Sequence, residues 1–228
     1  LLAAPLCFVV DLIRAAMGRK ACMGFGLKLG AYGFCGMLVA AFLSPPMIGS
    51  PVMLDLTGDG RLGTTAASTA RAPQDRTTRR TVSFDLAGRG QLQTLAWSDG
   101  GGDAFVVDDR DGGATRAARG AGVIDGTRLF GDEGGRWASG YDKLATLDAD
   151  RDGQLTGAEL ADLAAWIDDG DARLGRNELV SLASLGVTAL DVRHQAVTNA
   201  RGEALDQAGF TRNGRRGLTE DVWFPIAR

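Results

Sequence analysis

The stretch 148–159, which reads DADRDGQLTGAE, constrains the fold of this chain more than any other. An EF-hand calcium loop takes oxygen ligands from positions 1, 3, 5, 7, 9 and 12, and has glycine at position 6, where the chain turns sharply. Gly153 occupies position 6. The predicted ligands are Asp148, Asp150, Asp152, the backbone carbonyl of Gln154, Thr156 and the bidentate carboxylate of Glu159. The sequence therefore predicts calcium as the cofactor of this loop.

The loop also carries an apolar residue, Leu155, at position 8. We expect Leu155 to anchor the loop in a hydrophobic core. The alternative interpretation is an acidic, solvated turn between two helices. A plain turn, however, does not require an oxygen ligand at every one of these positions.

A second acidic stretch resembles an EF-hand loop that is one residue short, with Ala172 in the place of the glycine. A possible second metal site is predicted there, comprising Asp168, Asp169, Asp171, Arg173 and Glu178. Apolar residues between the two loops recur at helical spacing, which predicts a shared helix over about 157–167. These residues are Leu160, Leu163, Ala164 and Ile167.

Three earlier stretches keep only parts of the same pattern. The first gives a weak third metal site without a glutamate at position 12, comprising Asp55, Thr57 and Asp59. The second, at 85–90, has Arg89 at position 5, where a cation repels calcium, so a simple turn is predicted. The third begins at Asp108 and is interrupted by a long run without carboxylates.

The remaining pattern predicts an α+β fold. Short strands are predicted at 52–56, 82–85, 92–97, 105–107, 190–192, 209–212 and 222–226, with a polar loop at 63–80. The segment 139–185 is predicted to be helical and interrupted by acidic loops. The expected architecture is short strands around an EF-hand-like helix–loop–helix, preceded by an N-terminal transmembrane helix.

The transmembrane prediction rests on residues 21–43, a run of 23 residues with one charge, Lys28. At 1.5 Å per residue, such a helix crosses a hydrocarbon core of about 30 Å. Arg19 and Lys20 precede the run, so the positive-inside rule places them in the cytoplasm. We expect a single-pass protein of the bacterial inner membrane, with its C-terminal domain periplasmic or extracellular.

This segment has other interpretations, namely a cleaved signal peptide or a buried core helix. Residues 1–17 are also apolar and form either an interfacial helix or the end of a span. The predicted organisation is a membrane-associated segment at 1–43, a linker at 44–51 and a calcium-binding domain at 52–228.

Small residues mark one face of the predicted membrane helix: Gly26, Gly30 and Gly33. Small residues allow helices to approach closely in a bilayer, although glycine is common in membrane helices generally. The predicted partners are therefore the lipid bilayer and the helices of another membrane protein.

Composition excludes several functions for residues 51–228. The net charge of the chain is −3, and in residues 51–228 acidic residues outnumber basic ones, so no basic face indicates nucleic-acid binding. All three cysteines lie in the first 50 residues, so this part cannot form an internal disulfide. It has no phosphate-binding loop, no nucleophile elbow and no Cys/His metal cluster. The only histidine, His194, has no motif partner, which favours a structural role.

The order of the acidic runs carries a resemblance to a known family. VMLDLTGDG, VSFDLAGRG, AFVVDDRD, GVIDGTRLFGD and LATLDADRDGQLT follow one another, and the series closes with GFTRNG and DVWF. Over about residues 51–226, the series resembles a calcium-binding module of exported bacterial RTX-type proteins, including the self-processing module of iron-regulated RTX proteins. The resemblance implies an exported domain that folds around calcium.

The resemblance also implies a reaction. In self-processing members, calcium triggers cleavage of an Asp-Pro bond just before the first acidic run, because the aspartate attacks its own peptide carbonyl and forms an anhydride. The matching bond here joins Ser50 to Pro51. Since a serine hydroxyl cannot form that anhydride, we expect no cleavage between these two residues.

These observations predict a non-enzymatic, membrane-anchored calcium-binding protein that acts as an accessory or stabilising subunit of a membrane complex. Two alternatives stay open. One is a calcium-triggered autoprocessing module of the RTX type, and the other is a calcium sensor.

Overall fold

The structure, a computed structural model, describes residues 49–120 and 122–227, and most of its regular elements are strands. The strands are β1 (Val52–Leu54), β2 (Val82–Phe84), β3 (Gln93–Leu95), β4 (Ala104–Asp108), β5 (Gln154–Thr156), β6 (Leu163–Trp166), β7 (Leu179–Ser181), β8 (Val187–Asp191), β9 (Gln195–Thr198), β10 (Ala204–Arg212) and β11 (Arg215–Asp221). Two short α-helices, α1 (Gly113–Ala118) and α2 (Gly140–Ala145), and two 3-10 turns, Gly126–Arg128 and Gly157–Leu160, complete the described elements.

Nine of the described strands form one curled antiparallel sheet, a half-barrel. Its order is β5-β8-β10-β11-β1-β4-β6-β7, and β9 pairs with the first part of β10. The longest pairing is the hairpin β10–β11, closed by a two-residue turn in which Asn213 and Gly214 both have positive φ. Such Asn-Gly turns match the twist of the flanking strands. The strands β2 and β3 pair separately.

Strand β1 lies in the middle of the sheet, between β11 and β4, and is completely buried. Successive side chains point to opposite faces of a strand. Met53 therefore joins one hydrophobic cluster, with Trp97 and Trp166, whereas Val52 and Leu54 join a second cluster on the other face. Because both faces are covered, the chain immediately before β1 enters the interior of the domain.

The predicted α+β class with an EF-hand helix–loop–helix is wrong, since the described part of the chain is mostly β. The predicted helix over 157–167 is a 3-10 turn followed by β6, which pairs with β4 and β7. Leu163 and Ala165 join one cluster, and Ala164 and Trp166 join the other. A strand buried on both faces shows no alternation of polar and apolar residues, so its short apolar run resembles part of a helix.

Most predicted strands exist with shifted bounds, but the prediction at 222–226 is wrong because β11 ends at Asp221. The strands β5, β6, β7, β9 and β11 were not predicted. The proposed membrane segment 21–43, with Gly26, Gly30 and Gly33, lies outside the described residues. Within the described ranges, no helix has both the length and the apolar character needed to cross a bilayer.

Candidate metal site and the N-terminal junction

The acidic loop 148–159 follows α2 and includes β5. Helix α2 begins at an N-cap, where the Ser139 hydroxyl oxygen accepts a hydrogen bond from the N–H of Asp142 at 3.2 Å. In the second half of the loop, β5 pairs with β8 and places Leu155 opposite Leu190. Leu155 is fully buried, so the prediction that it anchors the loop in a core is confirmed. The loop is thus held at both ends by regular structure.

The first three predicted ligands converge. Asp148, Asp150 and Asp152 each offer a carboxylate oxygen, and these oxygens all lie within 4.8 Å of one another. A calcium ion bound at 2.3–2.6 Å from each ligand spans about 5 Å between opposite oxygens. Within the residues that the structure describes, this is the only group of three His, Cys, Asp or Glu side chains with such a spacing. The group can therefore hold a metal ion.

Hydrogen bonds inside the loop leave one buried carboxylate oxygen without a donor. Asp148 Oδ2 accepts the N–H of Gly153 at 3.0 Å, and Gly153 has a positive φ, as the turn requires. Asp150 and Asp152 each accept an N–H two residues ahead. Asp148 Oδ1, in contrast, is buried without a hydrogen-bond partner. A buried carboxylate oxygen without a donor is costly, and a bound cation would satisfy it.

Two of the later predicted ligands, Glu159 and Gln154, make hydrogen bonds within the loop and to β8. Glu159 Oε1 accepts the N–H of Ala149 at 2.7 Å, and its Oε2 accepts the N–H of Thr156 at 3.1 Å. The carboxylate at position 12 thus reaches back to the start of the loop. The Gln154 side-chain amide donates to Asp191 Oδ1 at 2.8 Å, which holds it against β8.

The second acidic stretch uses its carboxylates mainly for backbone hydrogen bonds. Asp168 Oδ1 accepts from Trp97 Nε1 at 3.0 Å and from the N–H of Gly170, and Asp168 Oδ2 accepts from the N–H of Ala172. Glu178 Oε2 accepts from Trp166 Nε1 and from a backbone N–H. Burial, with a contribution from neighbouring acids, raises the pKa of Asp168 to about 7. The second metal site, which also includes Asp169, Asp171 and Arg173, stays a prediction.

The weaker copies share one hydrogen bond with the main loop. Asp55 Oδ2 accepts the N–H of Gly60 at 2.8 Å, and Asp85 Oδ2 accepts the N–H of Gly90 at 2.5 Å. Asp55 Oδ1 is also occupied, by Thr57 Oγ1 and by the N–H of Gly58. Both oxygens of Asp55 therefore have donors within the protein, and the weak third metal site with Thr57 and Asp59 stays a prediction.

A second cluster of chemical interest surrounds the junction 49–51 at the start of β1. Ser50 is fully buried, and the peptide bond between Ser50 and Pro51 packs against Gly131, where a β-carbon would lie 3.2 Å from the Ser50 carbonyl oxygen. Gly49 has φ +90, and a β-carbon there would overlap the Leu86 side chain. Residue 49 is therefore restricted to glycine by both backbone conformation and space.

Two buried carboxyl groups face this junction. The Ser50 hydroxyl lies beside the Asp221 carboxyl, and the N–H of Gly140 donates to Asp221 Oδ2 at 3.2 Å. At standard hydrogen-bond geometry, however, neither Ser50 Oγ nor Asp221 Oδ1 has a partner, so their contact is loose. Burial raises the pKa of Asp221 well above its usual value. Burial also raises the pKa of Asp132, which is reached by the N–H of Gly49.

Sequence reasoning did not find this cluster. Asp132 and Asp221 lie 82 and 171 residues beyond Ser50 and belong to no metal-loop pattern. The pairing of β1 with β11, in which Val52 lies opposite Asp221, brings the two ends of the domain together. No local pattern marks Asp221, which is the last residue of β11, a strand that becomes more buried towards its C-terminal end.

Together, the half-barrel sheet and its acidic loop define a β-rich domain organised around aspartate-led loops, one of which can hold a metal ion. The profile of the SPM domain, a self-processing module, matches residues 52–225, and the chain belongs to this family. The resemblance to the self-processing module is thereby confirmed at the level of the family. No curated protein matches the chain.

Proposed function

We propose that this SPM domain is a calcium-triggered self-processing module that acts on its own N-terminal junction, residues 49–51. The observation that carries the proposal is the position of α2 between the two clusters. Its first residue, Gly140, donates to the buried Asp221 carboxylate beside Ser50, and Asp148 follows its last residue, Ala145, by three positions. One short helix therefore links the metal loop to the junction.

The chemistry of the loop favours calcium as the ion. Carboxylate and carbonyl oxygens are hard ligands, and calcium accepts six to eight of them in flexible geometry, whereas magnesium requires a strict octahedron and retains water. The EF-hand spacing of Asp148, Asp150, Asp152 and Glu159 fits calcium. This makes calcium the expected trigger.

The physical route from ion to junction runs through the packing of α2. Three clustered carboxylates repel one another until a cation neutralises them. An ion would therefore order the loop and, with it, the C-terminal end of α2. Tyr141 bonds to Thr219 of β11 at 2.9 Å, and Lys143 donates to two backbone carbonyls, so α2 transmits its position to the elements around Ser50.

The test uses the full chain, purified in mild detergent with a chelator and then given 1 mM calcium or 1 mM magnesium. Intact mass spectrometry should detect fragments cut within residues 49–51 with calcium only. Asp150→Asn, which keeps an oxygen but removes a ligand charge, should lose the cleavage. A chain that binds calcium, measured as a rise in melting temperature, and yet stays intact would contradict the proposal.

The second candidate is a non-enzymatic calcium-binding domain that serves as a membrane-anchored accessory subunit. Ser50 favours it, because serine replaces the aspartate that the family reaction requires. In this case an intact chain should co-purify with membrane partners, and Gly30→Leu should release them while calcium binding persists. Full recovery of the same partners with Gly30→Leu would show that the glycines are not the interface.

A further inference from the structure

The junction 49–51 contains a buried serine hydroxyl. Ser50 is fully buried, its Oγ has no partner at standard hydrogen-bond geometry, and the Asp221 carboxyl lies beside it. Buried hydroxyl groups are normally satisfied, so this one requires an explanation. Nucleophilic serines are recognised by a base within reach, and contacts to that base are often loose in the resting state.

Ring size decides which peptide bond such a serine can attack. An aspartate that attacks its own carbonyl carbon closes a five-membered ring. Ser50 Oγ, attacking its own carbonyl at the Pro51 bond, would close a strained four-membered ring. Attack on the preceding carbonyl, that of Gly49, closes a five-membered ring through Oγ, Cβ, Cα, N and the carbonyl carbon. Replacement of aspartate by serine therefore moves the favoured reaction one bond upstream.

The surroundings of Gly49 suit that reaction. The residue is held at φ +90 beneath Leu86, and its N–H reaches the buried Asp132 carboxyl. Both features hold the Gly49 carbonyl in a defined place relative to Ser50. Reactive groups fixed in this way gain the advantage of an intramolecular reaction.

We propose that Ser50 is the nucleophile of an N→O acyl shift that cleaves the backbone between Gly49 and Ser50. Ser50 Oγ gives its proton to Asp221 and bonds to the carbonyl carbon of Gly49. The bond from that carbon to the Ser50 nitrogen breaks, and Asp221 returns the proton to the leaving amine. The product is an ester between Gly49 and Ser50 Oγ, which one water molecule hydrolyses to a Gly49 carboxylate and a free Ser50 N-terminus.

This inference rests on the proposed self-processing function. The residue at which the C-terminal fragment begins distinguishes the acyl shift from self-processing at another bond. Calcium-loaded full chain should give a C-terminal fragment that begins at Ser50. Neutral hydroxylamine should accelerate its release and leave a Gly49 hydroxamate, which identifies the ester. Because hydroxylamine also attacks Asn-Gly pairs, such as the pair at 213–214, each fragment must be assigned by mass.

Variants test the assigned roles. Ser50→Ala should abolish the fragment, and Ser50→Cys should retain it through the analogous thioester. Asp221→Asn should slow the cleavage about a hundredfold, within the range of general acid–base effects. Ser98→Ala, at a buried serine outside the junction, is the matched control and should cleave like the unmodified chain.

Three outcomes would overturn the inference. A fragment that begins at Pro51 would preserve self-processing but exclude the acyl shift. An unmodified chain that folds, binds calcium and shows no fragment with or without hydroxylamine would overturn both proposals. A Ser50→Ala variant that still cleaves after Gly49 would remove Ser50 from the reaction.

Discussion

The loops that begin at Asp55 and Asp148 close in the same way, yet only in the second does the leading aspartate keep an oxygen without a donor. In each, the first aspartate accepts the N–H of a glycine five residues ahead, at 2.8 and 3.0 Å. Asp55 then uses its second oxygen for Thr57 and Gly58, whereas Asp148 Oδ1 is buried without a partner. The comparison separates what folds the loop from what binds the metal.

The shared hydrogen bond explains why the pattern recurs where ligands are missing. Asp85 accepts the N–H of Gly90 although Arg89 occupies position 5. A leading aspartate therefore closes the turn after a buried strand or helix without any ion. Asp150 and Asp152 are the additional groups that make the loop at 148 able to hold one.

The largest expected effect comes from removing a leading aspartate that has only a folding role. Asp55→Ala would remove three hydrogen bonds to a buried carboxylate, two of them from backbone N–H groups. Since each hydrogen bond to a charged group contributes about 1.5–3 kcal/mol, we expect a loss of at least about 3 kcal/mol of unfolding free energy. Chemical denaturation measures it.

The Asp55→Ala variant also tests whether the loop that begins at Asp55 binds calcium. The increase in stability on adding calcium should be the same in Asp55→Ala as in the unmodified chain. A smaller increase would show that the loop at 55 also binds the ion.

Asp148→Ala should lose the calcium-dependent stabilisation that Asp55→Ala is expected to keep. If the dissociation constant is about 10 μM and calcium is about 1 mM, mass action gives roughly 2.7 kcal/mol of stabilisation. Thermal melts with calcium and with chelator measure the difference. An unchanged calcium-dependent rise in melting temperature would place the ion elsewhere.

Asp168 gives the smallest and most pH-dependent effect. Burial raises its pKa to about 7, above the ordinary value of 3.8, so the folded state holds a proton that the unfolded state releases between these values. The free energy of unfolding contributed by this group therefore falls as the pH rises from about 4 to about 7. From pH 5 to pH 8, Asp168→Asn should gain on the order of 2 kcal/mol relative to the unmodified chain in chelator.

The pH series also tests the second acidic stretch. If calcium abolishes the pH dependence of the unmodified chain, a second ion at Asp168 is supported. A difference between the two proteins that does not change with pH would show that Asp168 does not titrate in this range.

Local pattern predicted the metal loop, because its ligands and Gly153 lie within twelve residues of sequence. The same local reasoning failed at β6, since Leu163 and Trp166 are buried on opposite faces and produce no alternating pattern. The junction could not be predicted, because Asp221 reaches Ser50 only through the pairing of β1 with β11. Contacts between distant parts of the chain depend on sheet register, which short motifs do not encode.

The central claim is that calcium binds at 148–159 and not at the loop that only shares its closing hydrogen bond. Asp152 and Asp59 form a matched pair, since both occupy position 5, both are exposed, and each accepts an N–H two residues ahead. Calcium titration by calorimetry on Asp152→Asn and Asp59→Asn tests the claim most directly. We predict that Asp152→Asn weakens binding at least about tenfold, because ligand charge tunes the affinity of such loops, and that Asp59→Asn leaves it unchanged. Equal affinities, or a loss in Asp59→Asn alone, would contradict this account.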